Sequence, residues 1–378
     1  MESGKKHSLI MGGGQNFMRE ISQRIGRGLL LSITAIPTLA IIFMIFFIAK
    51  EAAPFFGNLS HTLEFFTSSN WAPSSQNSPH FGALAIFYGT AMVTLGSCVI
   101  AIPLGIFAAV CLNEISKKAA FFKPMVELLA AIPSVVYGFF AIVIFAPILQ
   151  EEGGILIAAA VFLLGTTASI VIGICAGEIF AEKAFKGYFA KRSVLIKAIM
   201  ILSGIFATFE LSLSAANLKI ESGTNAFNAS VILAIMALPT IVSLSQDALQ
   251  AVGRDMREGS LALGATRAET IIKVVLPCAK SGIAAAIILG LMRVIGETMV
   301  VWMASGNALK IPEPFFNFFE PVRTMTATIA GEMGEADQST GSDRYHVLFA
   351  MSFCLLIGAL IMNAAGQFIG GSFRTIKK

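Results

Sequence analysis

One polar stretch lies between two long apolar runs and organises the rest of the chain: residues 258–277, EGSLALGATRAETIIKVVLP. Gly264 can adopt the positive φ that ends a helix. Thr266 can cap the next helix, with Glu269 three residues later as its capping-box partner. Pro277 is predicted to mark the point where the chain turns into the following apolar run. The stretch is therefore predicted to form a helix, a turn and a second helix.

The composition is that of a protein that crosses a membrane several times. Of its 378 residues, 56% are hydrophobic and 13% are charged, and the mean hydropathy is +0.77. A membrane-spanning helix needs about 20 apolar residues, and we expect an all-α, polytopic transmembrane helical bundle of about eight spans. The apolar runs predict these spans at residues 28–49, 81–112, 125–149, 155–180, 194–216, 230–249, 279–304 and 347–369. The segment QEEGG, residues 150–154, is predicted to be a tight turn between the third and fourth spans.

The positions of the basic residues indicate how the spans are oriented. With the N-terminus in the cytoplasm, the cytoplasmic segments hold 21 Lys and Arg residues, counting Lys197 and Lys280 at span edges, and the external loops hold five. This bias predicts cytoplasmic segments at residues 1–27 and 371–378, a transmembrane domain at 28–370, and a cytoplasmic loop at 250–277. In that orientation, a soluble partner in the cytoplasm can reach the loop.

The sequence shows few of the residue patterns that metal binding or catalysis requires. It contains no C-x-x-C, no H-E-x-x-H and no G-x4-G-K-[ST], so we expect no zinc site and no ATP bound by a P-loop of this chain. An intramembrane enzyme would need a nucleophile with a base, or metal ligands, within the spans, and no histidine lies at a span centre. The cysteines occur singly, at Cys98, Cys111, Cys175, Cys278 and Cys354.

Two charged residues lie near the middle of the predicted seventh span. Arg293 and Glu297 are four residues apart, which would place them on one face of a continuous helix. Charges at this depth cost about 2.5–3.5 kcal/mol each, so they normally pair or face a water-filled path. The functional interpretation is an anion path, because a guanidinium offers paired donors to a tetrahedral oxyanion. The alternative is a structural ion pair that fixes helix packing.

The polar stretch 258–277 resembles the EAA loop of ABC-transporter permeases, E-A-A-x3-G-x9-I-x-L-P. Gly259-Ser260 replaces Ala-Ala, and Val274 replaces Ile. In that family the loop is the coupling helix, which docks into a groove on a separate ATPase. The alternative is an ordinary helical hairpin between two spans. The resemblance assigns ATPase coupling to Glu258, Gly264, Ala265, Thr266, Leu276 and Pro277.

Other stretches are similar to the phosphate-specific (Pst-type) ABC permeases, and RTMTATIAGEMGEA is closest to the pattern of their C subunit. These stretches are FGALAIFYGT (81–90), IPLGIFAAVCLNE (102–114), ELLAAIPSVVYGFF (127–140), VILAIMALPTIVSLSQDAL (231–249), RVIGET (293–298) and RTMTATIAGEMGEA (323–336). The Arg and Glu of the family's R-x-x-G-E-T motif are held to act in phosphate translocation. They match Arg293 and Glu297.

The resemblance implies a permease subunit in a bacterial-type plasma (inner) membrane, surrounded by lipid. Its implied partners are a homologous PstA-like permease, a dimer of ATPase subunits and an external phosphate-binding protein. It implies no nucleic acid and no cofactor bound by this chain, with ATP bound on the partner. The alternatives are a permease for another oxyanion, such as molybdate or sulfate, and an anion carrier or channel that needs no ATPase.

Two regions are not explained by the resemblance. Family members typically have six spans, whereas here about 75 residues, 155–229, follow the third span and are predicted to be an inserted two-helix hairpin. We expect this hairpin at the lipid-facing periphery, and binding to another subunit is the alternative. The loop 305–346 could touch the binding protein or fold back into the bundle.

Overall fold

The computed structural model describes residues 3–75, 78–115, 123–184, 190–336 and 342–372, and this part of the chain is almost entirely helical. The all-α prediction is therefore confirmed. The α-helices in these ranges are α1 (Ser3–Phe56), α2 (Leu59–Thr67), α3 (Leu84–Val110), α4 (Lys123–Ala131), α5 (Ser134–Phe140), α6 (Ala146–Ala184), α7 (Ala190–Ala216), α8 (Ala226–Gln250), α9 (Arg254–Ala262), α10 (Arg267–Thr270), α11 (Leu276–Ile295), α12 (Met299–Ala304), α13 (Met325–Glu332) and α14 (Asp343–Ser372). Two short antiparallel strands, β1 (Trp71–Ala72) and β2 (His80–Phe81), form a hairpin with Trp71 opposite Phe81.

Seven helical segments in the described residues are long and apolar enough to cross a membrane, which confirms a polytopic membrane protein. Most of them match predicted spans, although the predicted third and fourth spans are not separate helices. The seven segments are Gln23–Phe56, Leu84–Glu114, Ser134–Leu163, Ala198–Ala216, Ala226–Gln250, Arg267–Ile295 and Asp343–Phe368.

The predicted tight turn at 150–154 is wrong, because α6 runs through these residues without a break. Gly153 and Gly154 do not end the helix. They let the end of α7 and the segment after it pack against α6: a Cβ on Gly154 would lie 2.6 Å from the carbonyl oxygen of Ala216 and 2.8 Å from that of Leu218. Together α5, a π-helical turn and α6 form one helix from residue 134 to residue 184. At 1.5 Å per residue this helix is about 77 Å long, more than twice the roughly 30 Å of a bilayer core.

The second half of that helix pairs with α7 rather than with the bundle. Gly165 packs against Thr208, Gly204 packs against Ser169, and the rings of Phe162 and Phe209 meet edge to face. The two helices are therefore an antiparallel pair. Helix α6 begins at Ala146, whereas the first helix of the inserted hairpin was predicted to begin at residue 155.

Two of the π-helical turns have a proline shortly after them. The turn Ala141–Phe145 precedes Pro147, and the turn Ile271–Val275 precedes Pro277. Proline has no N–H to donate to the carbonyl four residues earlier, and its ring crowds that carbonyl, so the preceding turn widens. Since α10, the π-helical turn and α11 run on as one helix, the prediction that the chain changes direction at Pro277 is wrong.

The bundle is built around α8, whose two faces are both covered. Ile241 of α8 lies against Gly105 of α3 on one side and Gly290 of α11 on the other. A Cβ at either glycine would come within 2.6 Å of the Ile241 side chain, so the helices could not approach this closely with a larger residue. Around this contact, buried side chains of α3, α5, α8 and α12 form the largest hydrophobic core.

The bundle has two distinct ends. We call the one that carries α9 and α10 the coupling-loop end, and the one that carries β1 and β2 the β-hairpin end. Part of the 305–346 loop turns inward from the β-hairpin end, where Val322, Ala327 and Thr328 are fully buried. Helix α13 packs there among α3, α12 and α14. Of the two possibilities for this loop, residues 322–332 therefore fold back into the bundle.

Candidate functional site

The predicted seventh span is broken next to the two charged residues that the sequence singled out. Helix α11 ends at Ile295 with Gly296 as its C-cap, and α12 begins at Met299. Arg293 lies in the last turn of α11, whereas Glu297 lies in the break. The expectation that a continuous helix places both on one face is therefore wrong.

Glu297 caps the helix that follows it. Its Oε1 accepts hydrogen bonds from the backbone N–H groups of Met299 at 3.1 Å and Val300 at 3.5 Å. These are two of the donors that the first turn of α12 leaves without a partner, and a carboxylate also suits the positive end of a helix. The Glu297 carbonyl accepts a 2.7 Å hydrogen bond from the hydroxyl of Thr326. Glu297 thus joins the broken span to α13.

A small cavity with a polar wall lies beside Glu297. It has a volume of about 10 Å³, and its apolar wall comes from α3, α8, α11 and α12. One of its threonines, Thr90, accepts a 2.9 Å hydrogen bond from the backbone N–H of Met325. The cavity lies where the broken span, α3 and the fold-back segment meet, and its polar lining residues are Thr90, Thr94, Glu297, Thr324 and Thr326.

Arg293 has different surroundings. It is exposed, and it lies near enough to Tyr137 of α5 to interact electrostatically with that residue's hydroxyl. The hydroxyl donates a 2.8 Å hydrogen bond to the carbonyl of Leu129. Within the described residues no ion pair joins Arg293 to Glu297. The structural alternative for these charges, an ion pair between them, is absent from this structure.

A different ion pair lies partly buried near this cavity, and the sequence analysis missed it. Arg323 and Glu332 stand at the two ends of α13, and the Arg323 Nη2 lies 3.0 Å from Oε1 of Glu332. The same oxygen accepts a 2.9 Å hydrogen bond from the indole N–H of Trp71. The spacing of the two charges on either side of a short helix could have suggested the pair, whereas nothing local identifies Trp71.

The coupling-loop end confirms the predicted local structure of the polar stretch. Gly264 has φ +88° after α9, and Thr266 and Glu269 form the predicted capping box at the start of α10. The Ser260 and Thr270 hydroxyls lie 3.0 Å apart and connect α9 to α10. Four of the six predicted coupling residues are exposed and two are partly buried. The exposed ones are Glu258, Gly264, Thr266 and Pro277, and the partly buried ones are Ala265 and Leu276.

The capping box also sets the charge state of Glu269. Hydrogen bonds from the backbone and hydroxyl of Thr266, followed by the contact with Lys273, lower the pKa of Glu269 to about 2. The Lys273 Nζ lies 3.2 Å from Oε1 of Glu269. The carboxylate is therefore ionised at neutral pH, as its capping role requires.

Arg257 of α9 reaches into the bundle, which the sequence analysis did not predict. Its Nε lies 3.2 Å from Oε2 of Glu114, and its Nη2 lies 2.6 Å from Oε1 of the same carboxylate. Nη2 also donates to the carbonyl of Leu249 at 2.8 Å, and Nη1 donates to the carbonyl of Gly253. Glu114 belongs to a π-helical turn that continues α3.

These features lie in a region that matches a known family. The sequence profile of the family described as "Binding-protein-dependent transport system inner membrane component" matches residues 101–374. This range covers most of the chain, including the broken span and the predicted coupling loop. The protein belongs to this family. It is therefore a permease component of a binding-protein-dependent transport system, embedded in a membrane by several spans.

Curated relatives cover most of the chain. The "Probable ABC transporter permease protein YqgH" of Bacillus subtilis is 31% identical over 317 residues, which span 83% of this chain and 79% of that protein. The "Phosphate transport system permease protein PstC" of Mesorhizobium japonicum is 32% identical over 310 residues, 81% of this chain and 77% of that protein. PstC of Pasteurella multocida is 30% identical over 275 residues, 72% and 69% of the two chains. The resemblance to PstC-like permeases is confirmed.

Proposed function

We propose that this chain is a permease subunit of an ABC importer that moves inorganic phosphate into the cytoplasm. The observation that carries the proposal is the RVIGET segment at the break between α11 and α12. It puts a carboxylate, Glu297, beside a small cavity with a polar wall, and an exposed cation, Arg293, in the last turn of α11 next to the break. The relatives named phosphate transport system permease PstC support phosphate as the substrate.

In this proposal Arg293 and Glu297 act at different points of the path. The exposed guanidinium of Arg293 offers two parallel N–H donors to a tetrahedral oxyanion. An exposed arginine within a membrane span needs a polar neighbour or water on that face. We therefore place the path along the Arg293 face, with a homologous PstA-like permease on its far side. Glu297 holds α12 and α13 together at the edge of the path.

The coupling loop is the proposed contact with an ATPase dimer in the cytoplasm. Its first helix and the turn after it expose apolar side chains, since Met256 is 50%, Leu261 44% and Leu263 91% exposed. Large apolar side chains this exposed on a water-facing loop favour a protein partner. ATP would bind on that partner, and Glu258, Gly264, Ala265, Thr266, Leu276 and Pro277 would carry or shape the contact.

The proposal also sets the orientation and the remaining partner. Both termini and the coupling-loop end face the cytoplasm, and the β-hairpin end faces outward, where an external phosphate-binding protein delivers the anion. The distribution of Lys and Arg supports this orientation. A permease for sulfate or molybdate would keep the same architecture. An ATP-independent carrier or channel would not need the exposed coupling loop.

The test is ATP-dependent uptake of radiolabelled phosphate into vesicles that contain this chain with its candidate partner subunits. Wild type is compared with Arg293→Ala, Arg293→Lys and Glu297→Gln. Lys219→Ala, which removes an exposed cation outside the path, is the control. We expect ATP-dependent uptake in the wild type and the control, its loss in Arg293→Ala, and weak uptake in Arg293→Lys, because a lysine lacks the planar fork.

Each alternative has its own result in this experiment. Uptake of sulfate or molybdate in place of phosphate would overturn the substrate and keep the coupling. Uptake that ignores ATP would overturn the coupling and favour a carrier or channel. Normal phosphate uptake in a correctly inserted Arg293→Ala variant would remove Arg293 from the path.

A further inference from the structure

We infer that Arg257 and Glu114 form the mechanical link between the coupling loop and the membrane helices. This inference rests on the proposed function, because it concerns how ATP hydrolysis on a partner would move the permease. Two nitrogens of the Arg257 guanidinium contact the Glu114 carboxylate. Nε lies 3.2 Å from one of its oxygens, and Nη2 lies 2.6 Å from the other. Such a two-point contact fixes orientation as well as distance.

The link joins three elements at one side chain. Besides Glu114 at the end of α3, Arg257 binds the carbonyl of Leu249 in the last turn of α8 and that of Gly253 in the connection to α9. A displacement of α9 therefore pulls directly on the ends of α3 and α8. These helices run side by side through the bundle, and they contribute Thr90, Thr94 and Leu233 to the wall of the Glu297 cavity.

The coupling loop is built to move as one body. Ser260 of α9 and Thr270 of α10 lie within hydrogen-bond distance, and the Thr266–Glu269 capping box fixes the turn between them. Helix α3 continues into the π-helical turn Cys111–Ile115, which holds Glu114, and a second π-helical turn, Ile271–Val275, follows α10. Arg257 thus connects the joined pair α9 and α10 to the turn at the end of α3.

Burial distinguishes this pair from the other ion pair of the loop. The Glu114 and Arg257 side chains are 9% and 20% exposed, whereas those of Glu269 and Lys273 are 46% and 71% exposed. An exposed pair is screened by water and holds its partners weakly, while a buried pair with one member removed leaves a charge without compensation. We therefore expect the less exposed pair, Arg257 and Glu114, to transmit a displacement of α9 to α3. Arg257 and Glu114 are positioning residues, since neither touches the anion path.

The test compares transport with ATP hydrolysis in the full reconstituted complex. Glu114→Gln keeps the volume and removes the charge, and Arg257→Lys keeps the charge and removes the fork. Arg27→Gln is the control, because it removes an exposed cation of α1 outside the coupling loop and the path. We expect phosphate moved per ATP hydrolysed to fall at least tenfold in Glu114→Gln and less in Arg257→Lys, with assembly, ATP hydrolysis and the control unchanged.

The other possible results distinguish a failure of the link from a failure of the proposed function. If wild type shows no ATP-dependent uptake, the proposed function fails. If wild type transports and Glu114→Gln has the same ratio of uptake to hydrolysis, the link is overturned. If Glu114→Gln loses subunit assembly, or loses uptake and hydrolysis in equal proportion, the pair serves folding or docking, and the link is overturned as well.

Discussion

Trp71 and Glu332 are 261 residues apart in sequence and are joined by a 2.9 Å hydrogen bond from the indole N–H to a carboxylate oxygen. The same oxygen lies 3.0 Å from the guanidinium of Arg323. The contact ties the β1–β2 hairpin to the end of α13, whose first residues border the Glu297 cavity. The position of the fold-back segment 322–332 therefore depends on a hairpin far from it in the chain.

Removing the indole donor should loosen this attachment. Trp71→Phe loses a hydrogen bond to a charged group in a buried setting, for which we expect a loss of about 1.5–3 kcal/mol in the free energy of unfolding. Trp302→Phe is the matched control, because Trp302 is 42% exposed and its indole makes no hydrogen bond within the described residues. Thermal unfolding in detergent measures both. Equal shifts in the two variants would mean that ring volume, and not the bond to Glu332, sets the effect.

The stabilities of Arg293 and Glu297 variants should be independent of each other. Glu297→Ala removes the side-chain cap of α12, at a cost of about 0.5–2 kcal/mol. Arg293→Ala removes an exposed side chain and should change stability by less than about 0.5 kcal/mol. Because no ion pair joins them, the coupling energy in a double-mutant cycle should be within about 0.5 kcal/mol of zero. A larger coupling would show that the two charges pair in the folded protein.

Local signals in the sequence predicted the parts of the site whose structure is local. Gly264 ends α9 because a helix of L-residues is terminated well by a residue at positive φ, and Thr266 and Glu269 cap the next helix within four residues. The contact between Arg257 and Glu114 spans 143 residues, so no spacing rule could identify it. Only the packing of α3, α8 and α9 brings those charges together.

Two wrong predictions, a shared face for Arg293 and Glu297 and a turn at residues 150–154, also have physical reasons. The four-residue spacing of Arg293 and Glu297 indicates a shared face only if the helix continues, and Gly296 ends it. The pair Gly153–Gly154 predicted a turn because glycine lowers helix propensity. Here packing outweighs propensity, since the glycines let the segment after α7 approach the backbone of α6. Tertiary contacts of this kind are not visible in a single sequence.

The capping box gives a pH dependence with a definite sign. The pKa of Glu269 is depressed to about 2 in the folded protein, so its cap is fully present above the ordinary carboxyl pKa of 4.5. The stability that the ionised Glu269 cap gives to the folded loop is lost as the pH falls from 4.5 toward 2. Hydrogen exchange at residues 266–270, corrected for the intrinsic pH dependence of exchange, should show constant protection from pH 7 to about 5 and a decline below it.

Glu269→Gln separates this titration from general acid unfolding. An amide cannot titrate in this range, so the variant should show lower protection at pH 7 and no decline of its own between about pH 4.5 and pH 2 at these residues. Protection elsewhere in the coupling loop serves as the internal control. If the wild type and the variant declined in parallel, the loop would be responding to other carboxylates.

The hairpin of α6 and α7 allows a direct test of the unbroken helix. Gly204 of α7 packs against Ser169, fifteen residues beyond Gly154, which is about 23 Å further along α6. Beside Gly154, α7 has ended, and the segment after it leads to the start of α8 at Ala226. The structure therefore puts Ser203, the neighbour of Gly204, beyond the β-hairpin end of the bundle. We expect a cysteine at position 203, in a chain without its native cysteines, to react with a membrane-impermeant maleimide added from that side.

The matched control is a cysteine in place of Val99, which is 74% exposed on α3 in the middle of a span. Lipid should cover it, so it should stay unreactive until the membrane is dissolved. The composition of residues 155–216 favours the opposite result for position 203, because these residues are apolar enough to lie in lipid. If the cysteine at 203 were as unreactive as the one at 99, the helix would have to bend near residues 150–154 to return to the membrane. Reaction at 203 alone would instead show that the apolar pair stands outside the bilayer, where a protein partner must cover it.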